Sequence, residues 1–138
     1  MSGSKGRTFF PLVLAIIALG AIVTIGSRGG GVSPRPEVFA SGFSLSAATA
    51  QSASTGRPVL VFATADWCGP CQAMKRGALS DGSVRDLIVE RTIPVYLDLT
   101  APDEATIGVA TRLGVGPIPS LFLLSGGEIV ASRQGNVS

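Results

Sequence analysis

The sequence predicts an α/β domain, a mixed sheet with flanking helices, preceded by one N-terminal transmembrane helix. Three observations predict it. From Phe9 to Gly26 the chain is apolar and carries no charge. Farther on, apolar runs of strand type at 59–63 and 93–99 are separated by helical stretches, and a third at 120–124 turns back through Gly126-Gly127 as a hairpin. Directly after the first of these runs stands Trp67-Cys68-Gly69-Pro70-Cys71, which holds both cysteines and the only tryptophan.

Length and composition narrow the function classes. A chain of 138 residues suits one folded domain. Net charge is +2 and the basic residues are scattered, with no basic run or aromatic-interleaved patch, so nucleic acid is not an expected partner. Histidine is absent, which excludes Ser-His-Asp and Cys-His catalysis and histidine metal sites. Two cysteines are too few for a multiply bridged secreted scaffold.

Residues 1–8 are polar, with Lys5 and Arg7 as their charges. The run 9–26 is just long enough to cross a hydrocarbon core of ~30 Å at ~1.5 Å per residue. Pro11 falls near its start, where a helix tolerates it. A cleavable signal peptide is the competing reading, but no clean Ala-x-Ala site lies between Thr24 and Gly31, and the run is long for a signal core. Lys5, Arg7 and the amino terminus precede the span, and Arg28 and Arg35 follow it. Positive-inside reasoning then puts residues 1–8 in the cytoplasm and the rest outside the membrane. Residues 27–40, with Gly29-Gly30-Gly31 and then Pro34 and Pro36, are expected to be a linker, flexible first and stiffer after. The glycines are no phosphate loop, because no strand precedes them and no Lys-Ser/Thr follows.

The folded domain is expected over 41–138. Ser44 to Thr55 reads as a helix ended by Gly56. Val59-Leu60-Val61-Phe62-Ala63 is continuously apolar, as in a strand buried on both faces. Gln72 to Leu79 reads as helix, broken at 80–82. Ser83 and Asp86 have capping-box spacing ahead of a helix in which Val84, Leu87 and Ile88 share a face. Ile93 to Leu99 is the second strand, and the helical crossover between the two implies a parallel pair. Thr100-Ala101-Pro102-Asp103 reads as a helix opening capped by the Thr100 hydroxyl, with the helix running to about Arg112 and Gly114 at its end. Pro119 opens a strand at 120–124, and Gly126-Gly127 returns it into 128–132.

The pentapeptide carries the chemistry. Two cysteines two residues apart can close a disulfide when the first opens a helix, because one helical turn brings the sulfurs together. At that position unpaired backbone N–H groups and the positive end of the helix dipole favour a thiolate. Cys68 is therefore the expected nucleophile, attacking a disulfide in another protein, and Cys71 the resolving thiol. Pro70 has no N–H to lose in the first helical turn, and Gly69 leaves room for a partner chain. Other readings are weaker. A structural zinc needs four ligands, so this chain could supply one only as a dimer sharing a metal or iron–sulfur cluster. A purely structural disulfide closing so tight a loop would constrain little of the unfolded chain. Asp98, Asp103 and Glu104 suit helix caps and solvated faces better than a metal site. Met74 and Tyr96 read as core or rim.

Trp67-Cys68-Gly69-Pro70-Cys71 after an apolar strand resembles the thioredoxin family, over roughly Phe43 to Ser138. Ala65-Asp66-Trp67-Cys68, Leu79-Ser80-Asp81 and Asp98-Leu99-Thr100-Ala101 are similar to the periplasmic C-terminal domain of the transmembrane reductase DsbD and related thioredoxin-like domains. The resemblance implies a thioredoxin-like sheet and a thiol–disulfide oxidoreductase that needs no cofactor beyond the Cys68–Cys71 disulfide. Trp67, Gly69, Pro70 and Pro119 would support the active site. Ile118-Pro119 matches the family's cis-proline position, where the backbone meets a substrate chain. Partners implied are disulfide-containing proteins, including those of cytochrome c maturation, and a membrane thiol electron donor. Gly-Pro between the cysteines favours the reducing direction; an oxidase or isomerase, or a non-enzymatic binding module, are the alternatives. Two departures stand out. Phe62 occupies the position of a buried aspartate that aids the resolving thiol, with no obvious lysine partner, which leaves Asp66 or water to serve. The pattern also continues, past a glycine like Gly135, into a final helix covering one sheet face. That helix is expected to be absent here, leaving an apolar face open.

Overall fold

The computed structural model of the chain describes residues 31–135. The expected cytoplasmic stretch 1–8 and transmembrane segment 9–26 lie outside the described residues, as do 136–138. Among the described residues no helix is long and apolar enough to cross a membrane.

Among the described residues, four strands and four α-helices follow one another in the predicted order. They are α1 (Leu45–Thr55), β1 (Val59–Thr64), α2 (Gly69–Arg76), α3 (Gly82–Arg91), β2 (Ile93–Asp98), α4 (Glu104–Leu113), β3 (Ser120–Ser125) and β4 (Glu128–Gln134). The sheet order is β2-β1-β3-β4. β1 runs parallel to β2, with Val61 opposite Val95, and antiparallel to β3, with Val61 opposite Phe122. β2 is an edge strand, which explains how it admits Pro94 opposite Leu60.

The central strands are apolar throughout because both sheet faces are covered. Val59, Val61 and Ala63 point to one face, where they pack with Val95, Phe122 and Leu124 beneath α1 and α4. Leu60 and Phe62 point to the other, where Val38, Phe39, Leu79 and Ile88 cover them. Phe62 is fully buried, with the Phe39 ring stacked at 5.7 Å and the Tyr96 ring edge-on at 5.9 Å between centroids. Phe62 is thus the centre of an aromatic cluster.

That cluster also shortens the expected linker. Val38 and Phe39 form a short 3₁₀ turn (Glu37–Phe39) and are buried, and Ser33 is buried as well. The compact unit thus begins at Val32 rather than at 41. The region from 32 to 40 is packed against the domain.

Three helix starts differ from expectation, each for a local reason. α2 spans Gly69–Arg76 with Cys68 as its N-cap, and ends at Gly77. Gly77 sits at φ −93°, ψ −105°, and a Cβ there would lie 3.1 Å from the Ala73 carbonyl oxygen. α3 is capped by Asp81 instead of Ser83: its Oδ1 accepts from the N–H groups of Ser83 (3.0 Å) and Val84 (3.1 Å). The helix therefore begins at Gly82, which puts Ser83 inside the first turn rather than at the cap. Leu87 consequently stands 57% exposed while Ile88 is buried. α4 is capped by Asp103, whose Oδ1 accepts from Thr106 N–H at 2.8 Å. Thr100 is not a cap, because its hydroxyl is engaged elsewhere.

Among the described residues no helix follows β4. Every residue of β4 is exposed, Ile129 at 43% and Val130 at 59%. Beside it Leu60, Leu121, Leu123 and Ala131 line a shallow apolar depression of about 290 Å³.

Candidate active site

The pentapeptide leaves the C-terminal end of β1 and enters α2. Cys68, at φ −93° and ψ 104°, is the non-helical cap residue, and Cys71 lies one turn inside. Their sulfurs are joined in a disulfide, with the Cα atoms 5.2 Å apart. The Cys71 N–H donates to Cys68 Sγ at 3.2 Å, one of the orphan donors that every helix start exposes. The same donor stabilises a Cys68 thiolate once the pair is reduced. Cys68 is 5% exposed and Cys71 not at all, so an incoming disulfide reaches Cys68 first. Trp67 stands 69% exposed beside it. A Cβ at Gly69 would meet nothing within 4 Å, so the approach over Gly69-Pro70 is open.

Opposite the cysteines lies the loop between α4 and β3. Its Ile118–Pro119 bond is cis. Cys68 Sγ lies 3.7 Å from the Ile118 carbonyl oxygen, which can accept from the thiol in the reduced form. Ile118 and Leu99 pack against Ala65, Cys68 and Cys71, while Pro119 is fully buried. The loop is tied from β4. The Gly135 N–H donates to the carbonyls of Pro119 (2.9 Å) and Pro117 (3.2 Å). Gln134 Oε1 accepts from Gly116 N–H at 2.8 Å, and its Nε2 donates to the Gly114 carbonyl at 3.3 Å. The sequence residues Trp67, Cys68, Gly69, Pro70, Cys71, Ile118 and Pro119 are therefore brought to one place.

Several supporting residues escaped sequence reasoning. The turn at Asp66 is held from two sides. Its N–H donates to Thr100 Oγ1 at 2.9 Å, and Thr100 in turn donates to Asp98 Oδ1 at 2.5 Å. From α2, Gln72 Nε2 donates to the carbonyls of Ala65 (3.1 Å) and Asp66 (3.3 Å). Gln72 Oε1 accepts from Ser33 N–H at 2.6 Å. Asp66 itself, read from sequence as a solvated turn residue or proton shuttle, forms an ion pair at 3.4 Å with Lys75, whose side chain is 1% exposed. A lysine partner is thus present, but it pairs with Asp66 and comes from α2. Its signal was the spacing: Lys75 is four residues after Cys71 and shares its buried helix face.

No group of three or more His, Cys, Asp or Glu side chains that could hold a metal ion occurs among the described residues. Asp98 and Asp103 serve the Thr100 hydroxyl and the start of α4. On the α2 side of the sheet Thr64 Oγ1 is buried without a partner among the described residues.

Comparison with known proteins agrees with this geometry. Over 89 residues the chain is 34% identical to thiol:disulfide interchange protein DsbD 1 of Pseudomonas aeruginosa, covering 61% of this chain but only 14% of that protein. Over 81 residues it is 33% identical to thioredoxin of Allochromatium vinosum, covering 59% of this chain and 69% of that one. The solved C-terminal domain of DsbD from Neisseria meningitidis, in its oxidised form, superposes with a TM-score of 0.56 at 23% identity, over 67% of this chain and 80% of that one. That last likeness is one of fold. A family model described as thioredoxin-like matches residues 40–126, from just after the buried N-terminal turn to the turn that follows β3. By that match the chain belongs to the thioredoxin-like family, and its Cys68–Cys71 pair is that of a thiol–disulfide oxidoreductase.

Proposed function

We propose that this chain is a membrane-tethered, extracytoplasmic reductase of protein disulfides. Residues 9–26 form the anchor, residues 1–8 face the cytoplasm, and the domain from Val32 onward works on the other side. The observation that carries the reading is Cys68 at the cap of α2. It is the outer member of the pair, and its sulfur faces the Ile118 carbonyl at 3.7 Å. The Cys68 thiolate attacks one sulfur of a substrate disulfide. The substrate S–S bond breaks, a mixed disulfide forms, and the other substrate sulfur leaves as thiolate. Cys71, as thiolate, then attacks Cys68 Sγ. The mixed disulfide breaks and the second substrate thiol departs, so two electrons have passed to the substrate and the Cys68–Cys71 bond is restored. An external dithiol returns two electrons to the pair. Trp67 and Pro70 flank the attacking sulfur, and the Ile118-Pro119 backbone offers a docking edge for the substrate chain.

Gly-Pro between the cysteines and the DsbD-type relative support the reducing direction, with a membrane thiol carrier as donor. The test uses the full chain in detergent with insulin and a thiol reductant, beside Cys68→Ser. Insulin reduction well above that of the variant is expected, and equal rates would sink the enzyme reading. A reduction potential near the thioredoxin value of about −270 mV supports a reductase, whereas one near about −120 mV would assign an oxidase instead. Protease accessibility of the domain in intact spheroplasts checks the topology.

A further inference from the structure

One buried charge has no part in the exchange steps above. Lys75 lies on the buried face of α2, one turn beyond Cys71, with its side chain 1% exposed. Burying an ammonium is costly unless it is paired and hydrogen-bonded. Lys75 Nζ has three partners: Asp66 Oδ1 at 3.4 Å, the Ser33 carbonyl at 3.4 Å, and the face of the Tyr96 ring, 5.4 Å from its centroid. Ser33 is in turn gripped by its whole polar complement. Its N–H goes to Gln72, its carbonyl takes Lys75, and its Oγ accepts from Arg76 at 3.0 Å. Three side chains from two successive turns of α2 thus converge on one residue of the N-terminal segment. The result fixes a cation beneath the helix that starts at Cys68 and an anion two residues before it.

We propose that Lys75 is a positioning residue for the redox pair: held by Ser33, its ammonium favours the Cys68 thiolate, and Asp66 opposes it with the other sign. The proposal rests on the exchange chemistry assigned to Cys68. The charge inventory around that sulfur is short. The loop 114–119 contributes no charged residue. Asp98 and Arg76 keep their charges, since Thr100 and Ser33 offer them only neutral hydroxyls, but both residues are exposed and screened by solvent. Lys75 and Asp66 are left as the pair whose balance Cys68 senses. Lys75 is interior and screened little, whereas the Asp66 side chain is 41% exposed and acts from only two residues before the sulfur, so removing either one is felt there.

The experiment measures the pH midpoint of iodoacetamide alkylation of Cys68 in the reduced full chain, read on the Cys68 peptide by mass spectrometry. Alkylation needs only a free thiolate, so it reports on this proposal even if insulin is no substrate. Lys75→Met should raise the midpoint, slowing alkylation below it about three- to tenfold, the effect of one partly screened charge. Asp66→Asn should lower the midpoint. The double variant should return close to the wild type. Thr100→Val loosens the same turn without changing a charge, and should leave the midpoint in place. A structural role alone would move both single variants in one direction. That outcome, an unmoved midpoint in Lys75→Met with the fold intact by circular dichroism, or an equal shift in Thr100→Val would each overturn the proposal.

Discussion

Replacing Gln72 by alanine should cost about 1–3 kcal/mol of stability. Gln72 is 6% exposed and makes three hydrogen bonds, one to Ser33 and two to the turn at Ala65 and Asp66. Alanine leaves the Ser33 N–H without a partner in a region closed to water, while the Ala65 carbonyl keeps the Cys68 N–H at 3.2 Å. Each buried group so stranded costs about 1–3 kcal/mol. The Asp66 carbonyl is only partly buried and regains water, so it adds little. The loss is a large share of a total that is typically about 5–15 kcal/mol. Urea unfolding of the oxidised chain, followed by far-ultraviolet circular dichroism, reads it directly. With a slope of about 1–3 kcal/mol per molar urea, the midpoint should fall by at least about 0.3 M while the slope stays constant. A loss below about 1 kcal/mol would mean that water reaches these groups, and the picture of a sealed junction between the N-terminal segment and α2 would be refuted.

Two further predictions concern the body that carries the site. Phe62→Ala should destabilise by about 3–5 kcal/mol, measured calorimetrically, because it empties the centre of the ring cluster; a loss near 1 kcal/mol would show that Phe39 and Tyr96 collapse into the gap. The capping carboxylates predict an acid limb. The Ser83 side chain and the Val84 N–H hold the Asp81 carboxyl below its ordinary value, and the Thr106 side chain and N–H do the same for Asp103. Both groups have lower affinity for protons folded than unfolded, so their contribution is complete above the unfolded value near pH 4 and fades as the pH falls through the folded ones. Melting temperature should therefore drop below about pH 4, and less steeply in Asp81→Asn, whose cap carries no titrating group.

What the sequence disclosed follows from the range over which each signal acts. Strand β1 was legible because an unbroken apolar run leaves one option, burial on both faces. The redox pair was legible because two cysteines at a helix start admit few chemistries. Helix starts were less so: Asp81 and Asp103 took the caps from Ser83 and Thr100 through competition among neighbours, which residue type alone does not rank. Gln72 and Lys75 were missed for a different reason. On a polar, short helix they look like solvent-facing residues, and only the arrival of Ser33 from about forty positions away makes that face an interior. Gln134 is similar, since its reach to Gly114 and Gly116 depends on the register of β4.

These long-range contacts bear on one another. Phe62, in the place of an acid, gives β1 an aromatic side chain on the α2 face, and Phe39 stacks on it. Phe39 thereby carries the segment before it across that face, where Arg35 lies 4.5 Å over the Tyr96 ring and Ser33 meets α2. Tyr96 then has Arg35 and Lys75 both at its ring, and Lys75 reaches Asp66. A single apolar residue on β1 thus accounts for a packed N-terminal segment, and that segment supplies the carbonyl that fixes the buried cation. Charge near the cysteines stands on α2 and on the turn before Cys68, in the Lys75–Asp66 pair.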